Sequence, residues 1–157
     1  MNDDAILQRL SELEIELPPA PKPVASYVTV RLAGDTAFVA GQVPLVDGSV
    51  LHPGHLGEGG VTAEHGAEAA RRAAIQALSA LREALGGSFE RLVQLSQVTV
   101  YLATTPDFTG HPAVANGASD LFVEVLGDAG KHARAAVGMA SLPLGASVEV
   151  TVTALIS

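Results

Sequence analysis

Two charged residues stand out from the runs that carry them. Arg134 opens a segment that is otherwise small and apolar, Ala133-Arg-Ala-Ala-Val-Gly-Met139. A guanidinium there must reach water or find an anion, because an unpaired buried charge is strongly destabilising. Its planar fork suits a carboxylate held through two parallel hydrogen bonds. A salt bridge to a nearby acid, or an exposed strand end, would satisfy it as well. Glu149 interrupts the valines of Val148-Glu-Val-Thr-Val-Thr153. A solvated glutamate beside Thr151 and Thr153 is the simplest account of it. Tyr27 at a strand start and Asn116 on a helix flank are polar positions of the same ambiguous kind.

Other groups carry less chemistry. His52-Pro-Gly-His55 has the look of a metal pair, but no third ligand follows at a metal spacing, so it reads as a solvated loop and no metal is expected. Glu64-His65 lacks the second histidine of the zinc-protease helix motif. Gly57-Glu-Gly-Gly60 has no Lys-Ser/Thr after it, so a flexible loop is favoured over a phosphate cradle. There is no Gly-x-Ser-x-Gly, which leaves a serine nucleophile elbow without support. The chain has no cysteine, which excludes disulfides, thiolate zinc sites and iron–sulfur clusters.

The elements that position these residues fit one domain spanning 1–157, since 157 residues lie close to the common domain size. A hydrophobic content of 48% argues against disorder. The net charge is −8, from 9 basic and 17 acidic residues. Nucleic-acid binders need a basic face, whereas Lys22 and Lys131 are the only lysines and the arginines are scattered. Nucleic acid is therefore not an expected partner, and neither is an anionic membrane. No apolar run approaches the ~18 residues of a spanning helix. Asp3 and Asp4 stand where a signal peptide would be basic. A cytoplasmic location is expected.

Ile6, Leu10, Leu13 and Leu17 recur at helical spacing, capped by Asn2 or Asp3. This N-terminal extension covers 1–17, with the core at 18–157. Glu12, Glu14 and Glu16 crowd the end where the helix dipole disfavours them, so the helix is firm only to about Leu13. Pro18, Pro19, Pro21 and Pro23 enforce an extended connector. Strands are expected at Val28–Leu32 and Thr36–Val43, with Gly41 marking a bulge or a close approach. Asp47-Gly48 turns the chain into Ser49–Leu51, and His52–Gly60 is a loop. Thr62 caps a helix to about Leu85, which Gly86-Gly87 ends. Val93–Ala103 is a strand and Pro112–Leu126 a second long helix, with Pro112 in its first turn and Gly127 after it. Ala133–Met139 and Ser147–Leu155 close the chain as strands. This order predicts an α+β fold: a mixed sheet with two helices on one face, plus the extra N-terminal helix. The uncovered sheet face would be covered by self-association.

Taken together, Tyr27, Gly41-Gln42-Val-Pro44, Asn116, Ala133-Arg134, Leu142-Pro143 and Val148-Glu149-Val150 resemble the RidA/YjgF (L-PSP endoribonuclease-like) family. Order and spacing agree from about Pro18 to Ile156, including the 15-residue step from Arg134 to Glu149. Pro18–Pro23, Val114–Asp120 and His132–Val137 look like a longer-chained branch, distinct from the archetypal deaminases. The resemblance implies a chorismate-mutase-like fold and a homotrimer with ligand sites between subunits. It also implies hydrolysis of small 2-imino acids, such as 2-iminopropanoate, to 2-keto acids and ammonia without a cofactor. In that setting Arg134 would hold the substrate carboxylate and Glu149 would handle the attacking water. Tyr27, Gly41, Asn116 and Ala136 would line the site. The family's serine before Gly-Gln is Ala40 here. Its cysteine two residues after the arginine is Ala136, and its glutamate four residues after is Gly138. Alternative readings are a non-catalytic module binding small carboxylates, and, more remotely, an endoribonuclease, which the charge opposes. A chorismate mutase, by fold analogy alone, would need more cations than Arg134 supplies.

Overall fold

The computed structural model describes residues 1–22 and 25–157; Pro23, the last proline of the expected connector, lies outside them. Helix α1 covers Asp3–Glu12, and the Asn2 side chain accepts a hydrogen bond from the Ala5 N–H at 3.2 Å. The wider Asn2–Leu17 span does not form. Leu13 caps the helix and Glu14 adopts φ 55°, a left-handed residue that turns the chain away. The glutamates past Leu10 would sit at the negative end of the helix, and Pro18 blocks further growth. Ile6 and Leu10 are buried in the common core at 4% and 3% exposure. Each contributes about 1.5–3 kcal/mol by leaving water. Asp3 fixes the helix end: its carboxylate accepts from the Phe89 N–H at 2.7 Å and pairs with Arg82 at 3.2 Å. The segment after α1 crosses the second helix, where the Ser79 hydroxyl donates to the Pro18 carbonyl.

Strands β1 (Val30–Ala33) and β2 (Thr36–Gln42) form a hairpin. The first strand starts later than expected, and Tyr27 and Val28 precede it as exposed residues. A small ribbon follows, β3 (Leu45–Val46) against β4 (Ser49–Val50). Its turn has Asp47 at φ 49° and Gly48 at φ 79°, positive at both central positions as a tight hairpin turn requires. Then come α2 (Ala63–Ala84), β5 (Leu92–Ala103), α3 (His111–Leu126), β6 (Ala133–Met139) and β7 (Val148–Ile156). Thr62 caps α2 as its type predicts, accepting from the His65 N–H at 3.2 Å. Two short 3-10 turns, Gly127–Gly130 and Pro143–Gly145, were not legible in advance.

The five-stranded sheet has the order β1-β2-β7-β5-β6. Every pair is antiparallel except β5 and β6, which α3 joins as a crossover. This is the expected mixed α+β sheet with α2 and α3 on one face. Strand β7 alternates without a break. Val148, Val150, Val152, Ala154 and Ile156 are buried, while Glu149, Thr151, Thr153 and Leu155 lie on the other face. Helix α2 covers β2 and β7, and α3 reaches β5 and β6. The two helices touch where Gly117 meets the Ala67 carbonyl; a Cβ on Gly117 would lie 2.0 Å from that oxygen. The small residues at the start of α2 thus serve a helix–helix crossing. On the open face, Phe38, Val137 and Met139 are 48%, 40% and 39% exposed. Among the described residues, strands β1 and β6 leave their outer edges unpaired.

Candidate active site

Arg134 sits on the edge strand β6 opposite Val98 of β5. Val98 points into the core, so Arg134 shares its face and turns toward α3. One guanidinium nitrogen, Nη1, donates to Asn116 Oδ1 at 2.8 Å and to Ser119 Oγ at 3.1 Å. Both partners are neutral. Among the described residues no carboxylate lies within 4.0 Å of Arg134. Glu124 of α3 is paired with Arg71 of α2 at 2.8 Å. The salt bridge weighed from sequence is absent among the described residues, whereas the exposed strand end weighed beside it is where Arg134 sits. The two Nη1 protons are used, so the Nε–H and Nη2–H edge remains for a planar anion.

Ser119 and His132 complete this group, and neither was singled out from sequence. Ser119 Oγ lies 3.0 Å from His132 Nε2, and His132 Nδ1 lies 2.6 Å from the Gly130 carbonyl. Their positions held a usable signal. Asn116 and Ser119 are three apart on one helix face, and His132, just before β6, stands two residues from Arg134. His132 stands edge-on to Phe122 at 5.8 Å. Burial of the ring, then the neighbouring Arg134 charge, pushes its pKa below the ordinary value, against the Gly130 hydrogen bond. Ser119, Val123, Lys131, His132 and Arg134 line an open cleft of about 280 Å³. Ala136 follows Arg134 on the same face, half-buried against the core. Gly138 comes next, and a Cβ there would meet Thr104 Oγ1 at 2.8 Å and His111 Nε2 at 2.9 Å. In this structure those two side chains occupy the space that a side chain at 138 would enter.

Glu149 belongs to a second group. It pairs with Tyr101 across the sheet, on the open face. Between Val39 and Gln42 strand β2 slips by one residue against β7, a bulge at Ala40-Gly41. The Glu149 carboxylate rests on that bulge; a Cβ on Gly41 would lie 1.7 Å from its Oε1. Both expectations for Gly41, an irregular strand and a close approach, describe the same spot. Burial alone raises the Glu149 pKa above the ordinary carboxylate value, with no opposing charge or hydrogen bond.

Within one chain the two groups do not meet. Arg134 and Glu149 lie two strands apart, roughly 9–10 Å, and three residues apart in register, roughly another 10 Å. They occupy opposite faces of the sheet. Tyr27, 46% exposed before β1, lies at the far edge from Arg134. The structure therefore joins Arg134 with Asn116 and Ala136, joins Glu149 with Gly41, and leaves Tyr27 apart from both.

The His52–His55 loop also resolves. His55 turns to the Ala140 carbonyl at 2.7 Å, while His52 meets Glu68 at 2.7 Å and stacks on His65. The third group missing from the sequence spacing comes from α2: the ligating atoms of His52, His65 and Glu68 lie within 4.8 Å of one another. The two rings are 11° from parallel at 4.3 Å. Their in-plane lone pairs then run side by side, whereas shared ligation needs them to converge. As arranged, the cluster is a stack and a hydrogen bond.

The family model described as "YjgF/chorismate_mutase-like, putative endoribonuclease" matches residues 7–155. The chain belongs to the RidA/YjgF family. Protein TCP17 of Trypanosoma cruzi is 40% identical over 146 residues, 92% of this chain and 90% of that protein. The crystal structure of Atu1372 from Agrobacterium tumefaciens, a protein of unknown function, is 37% identical with a TM-score of 0.92. That match covers 99% of this chain and 94% of the other. A Shewanella oneidensis MR-1 structure, named for endoribonuclease activity, is 29% identical with a TM-score of 0.90, covering 96% and 98%. Among the described residues no helix is long and apolar enough to cross a membrane.

Proposed function

We propose that the protein hydrolyses small 2-imino acids to 2-keto acids and ammonia, as a homotrimer whose sites form between subunits. The observation that carries this reading is the Arg134 guanidinium, exposed, fixed by two neutral oxygens and, among the described residues, free of any carboxylate partner. A positive fork held still without a counterion is a carboxylate receptor. E. coli TdcF, similar in fold at 21% identity and a TM-score of 0.61, carries a bound serine. Serine and a 2-imino acid share a carboxylate with nitrogen on the adjacent carbon.

Glu149 is too far from its own Arg134 to share a substrate, so the Glu149 of a neighbouring subunit faces each Arg134. The open sheet face with Phe38, Val137 and Met139, and the unpaired edges of β1 and β6, supply the surfaces for that association. Packing a neighbour over Glu149 buries it further and makes it a better base near neutral pH. In the reaction Arg134 holds the carboxylate through its Nε–H and Nη2–H edge. Glu149 takes a proton from water as the oxygen attacks C2 of the protonated imine. It then gives that proton to nitrogen. The C–N bond breaks as the carbinolamine oxygen closes the C=O bond and releases its hydroxyl proton to Glu149, and the departing ammonia takes up that proton and leaves as ammonium. Asn116 positions the guanidinium. Tyr27, carried to the β6 edge of a neighbour, and Ala136 line the pocket.

The test is ammonia and keto-acid release from 2-iminopropanoate generated in situ, for wild type beside Arg134→Ala. Wild type is expected to accelerate release and Arg134→Ala to remain at the buffer rate while still trimeric. No acceleration by correctly assembled wild type would overturn the reading.

A further inference from the structure

The direction of every proton around Ser119 follows from its neighbours. The Gly130 carbonyl can only accept, so His132 Nδ1 carries the hydrogen at 2.6 Å. A neutral ring then presents a lone pair at Nε2, 3.0 Å from Ser119 Oγ, and the Ser119 hydroxyl donates to it. The same Oγ accepts from Arg134 Nη1 at 3.1 Å. A hydroxyl has one proton and two acceptor sites. With its proton on His132 and one site on Arg134, Ser119 offers the cleft a single remaining acceptor. That acceptor stands beside the guanidinium that would hold a carboxylate.

We infer that Ser119 is a specificity-determining residue of the Arg134 half of the site, selecting ligands that carry an N–H donor on the carbon next to the carboxylate. His132 is its positioning residue, because it fixes which way the Ser119 proton points. The inference rests on Arg134 as a carboxylate receptor. It narrows the ligand class to 2-imino and 2-amino acids over 2-keto acids, whose oxygen can only accept. An enzyme of this kind binds its substrate through the N–H and releases a product that loses that contact.

Protonating His132 reverses the preference. Nε2–H then donates to Ser119 Oγ, both acceptor sites are filled by His132 and Arg134, and the Ser119 proton turns to the cleft. The site becomes a donor that suits a keto oxygen, and the added charge repels ammonium or iminium. The charged groups around His132 are few. Arg134 lies two residues along on β6, and Lys131, just after the Gly127–Gly130 turn, is paired with Asp128 at 2.8 Å. Helix α3 contributes uncharged Ser119 and Phe122, with Asp120 exposed beyond them, and β5 places Gln97 beside Ala133. No carboxylate among the residues lining the cleft competes for the switch.

The experiment is calorimetric titration of the assembled wild-type protein with L-serine and with pyruvate, from pH 5 to pH 8. Nitrogen NMR of the free protein would be used to read the His132 tautomer. At pH 8 serine is expected to bind about tenfold tighter than pyruvate, the worth of one hydrogen bond to a charged group. The ratio should fall as the pH drops below the ordinary imidazole range, because burial lowers the His132 pKa, with His132 protonated on Nδ1 alone at pH 8. Ser119→Ala is expected to remove most of the discrimination, and His132→Asn its pH dependence while both ligands still bind. Equal ratios in wild type and Ser119→Ala, or no binding of either ligand, would overturn the inference. A pH-dependent preference in a protein that fails to hydrolyse imines would remove only the deaminase reading.

Discussion

Gly41→Ala separates the site from the fold. The added methyl would lie 1.7 Å from Glu149 Oε1, 2.7 Å from Cδ and 3.1 Å from Cγ. Ordinary contact needs about 3.3–3.5 Å, so the carboxylate must retreat by roughly 1.5 Å. It can do so, because it is the free end of a flexible side chain on the open face. Gly41 does not need a positive φ, so alanine fits the backbone and narrows the unfolded ensemble by about 0.4–1 kcal/mol. An off-rotamer Glu149 costs about 0.5–1.5 kcal/mol in the other direction. The two nearly cancel, and the Tm is expected to move by no more than roughly 4 °C. Activity should respond quite differently. A catalytic group misplaced by about 1 Å costs about 100-fold. The assay is keto-acid release from 2-iminopropanoate beside thermal unfolding of the same preparations. A Gly41→Ala protein that keeps wild-type turnover would refute the placing of Glu149 in the site. One that unfolds 15 °C lower would refute the packing argument.

Three further outcomes follow from the same geometry. Burial raises the Glu149 pKa, so the folded chain holds this proton more tightly than the unfolded chain does. Stability from this group is full below the ordinary carboxylate range and is lost as pH rises toward the raised value. Glu149→Gln is therefore expected to be at least as stable as wild type at pH 7 and to lose activity; Tm against pH for both proteins checks the sign. Leu10→Ala removes a side chain that is 3% exposed and should cost about 2–4 kcal/mol, a Tm fall of roughly 5–15 °C by calorimetry. Gly117→Ala drives a methyl to 2.0 Å from the Ala67 backbone carbonyl, which cannot step aside as a side chain can. It should lower Tm more than Gly41→Ala does.

The sequence by itself determined the elements and the odd residue. Helical spacing with Thr62 and Gly86-Gly87 at the ends set α2, and two-residue alternation set β7, because those signals are local. Asp47-Gly48 specified its hairpin for the same reason. Arg134 stood out because a guanidinium in an alanine strand is costly unless something uses it. Apolar spacing runs on to Leu17, but the glutamates and Pro18 mark the helix end near Leu13, where α1 is capped. Only the tertiary structure decided which groups meet. Ser119 and His132 converge on Arg134 because a crossover helix and an edge strand share one face. His52 finds its partners on α2 rather than at His55. Above all, Arg134 and Glu149 face opposite ways. Strand residues alternate sides, and which side is covered depends on register against β5 and on where the helices lie. A 15-residue spacing along the chain carries none of that, because contacts between strands are fixed by pairing and not by distance in sequence.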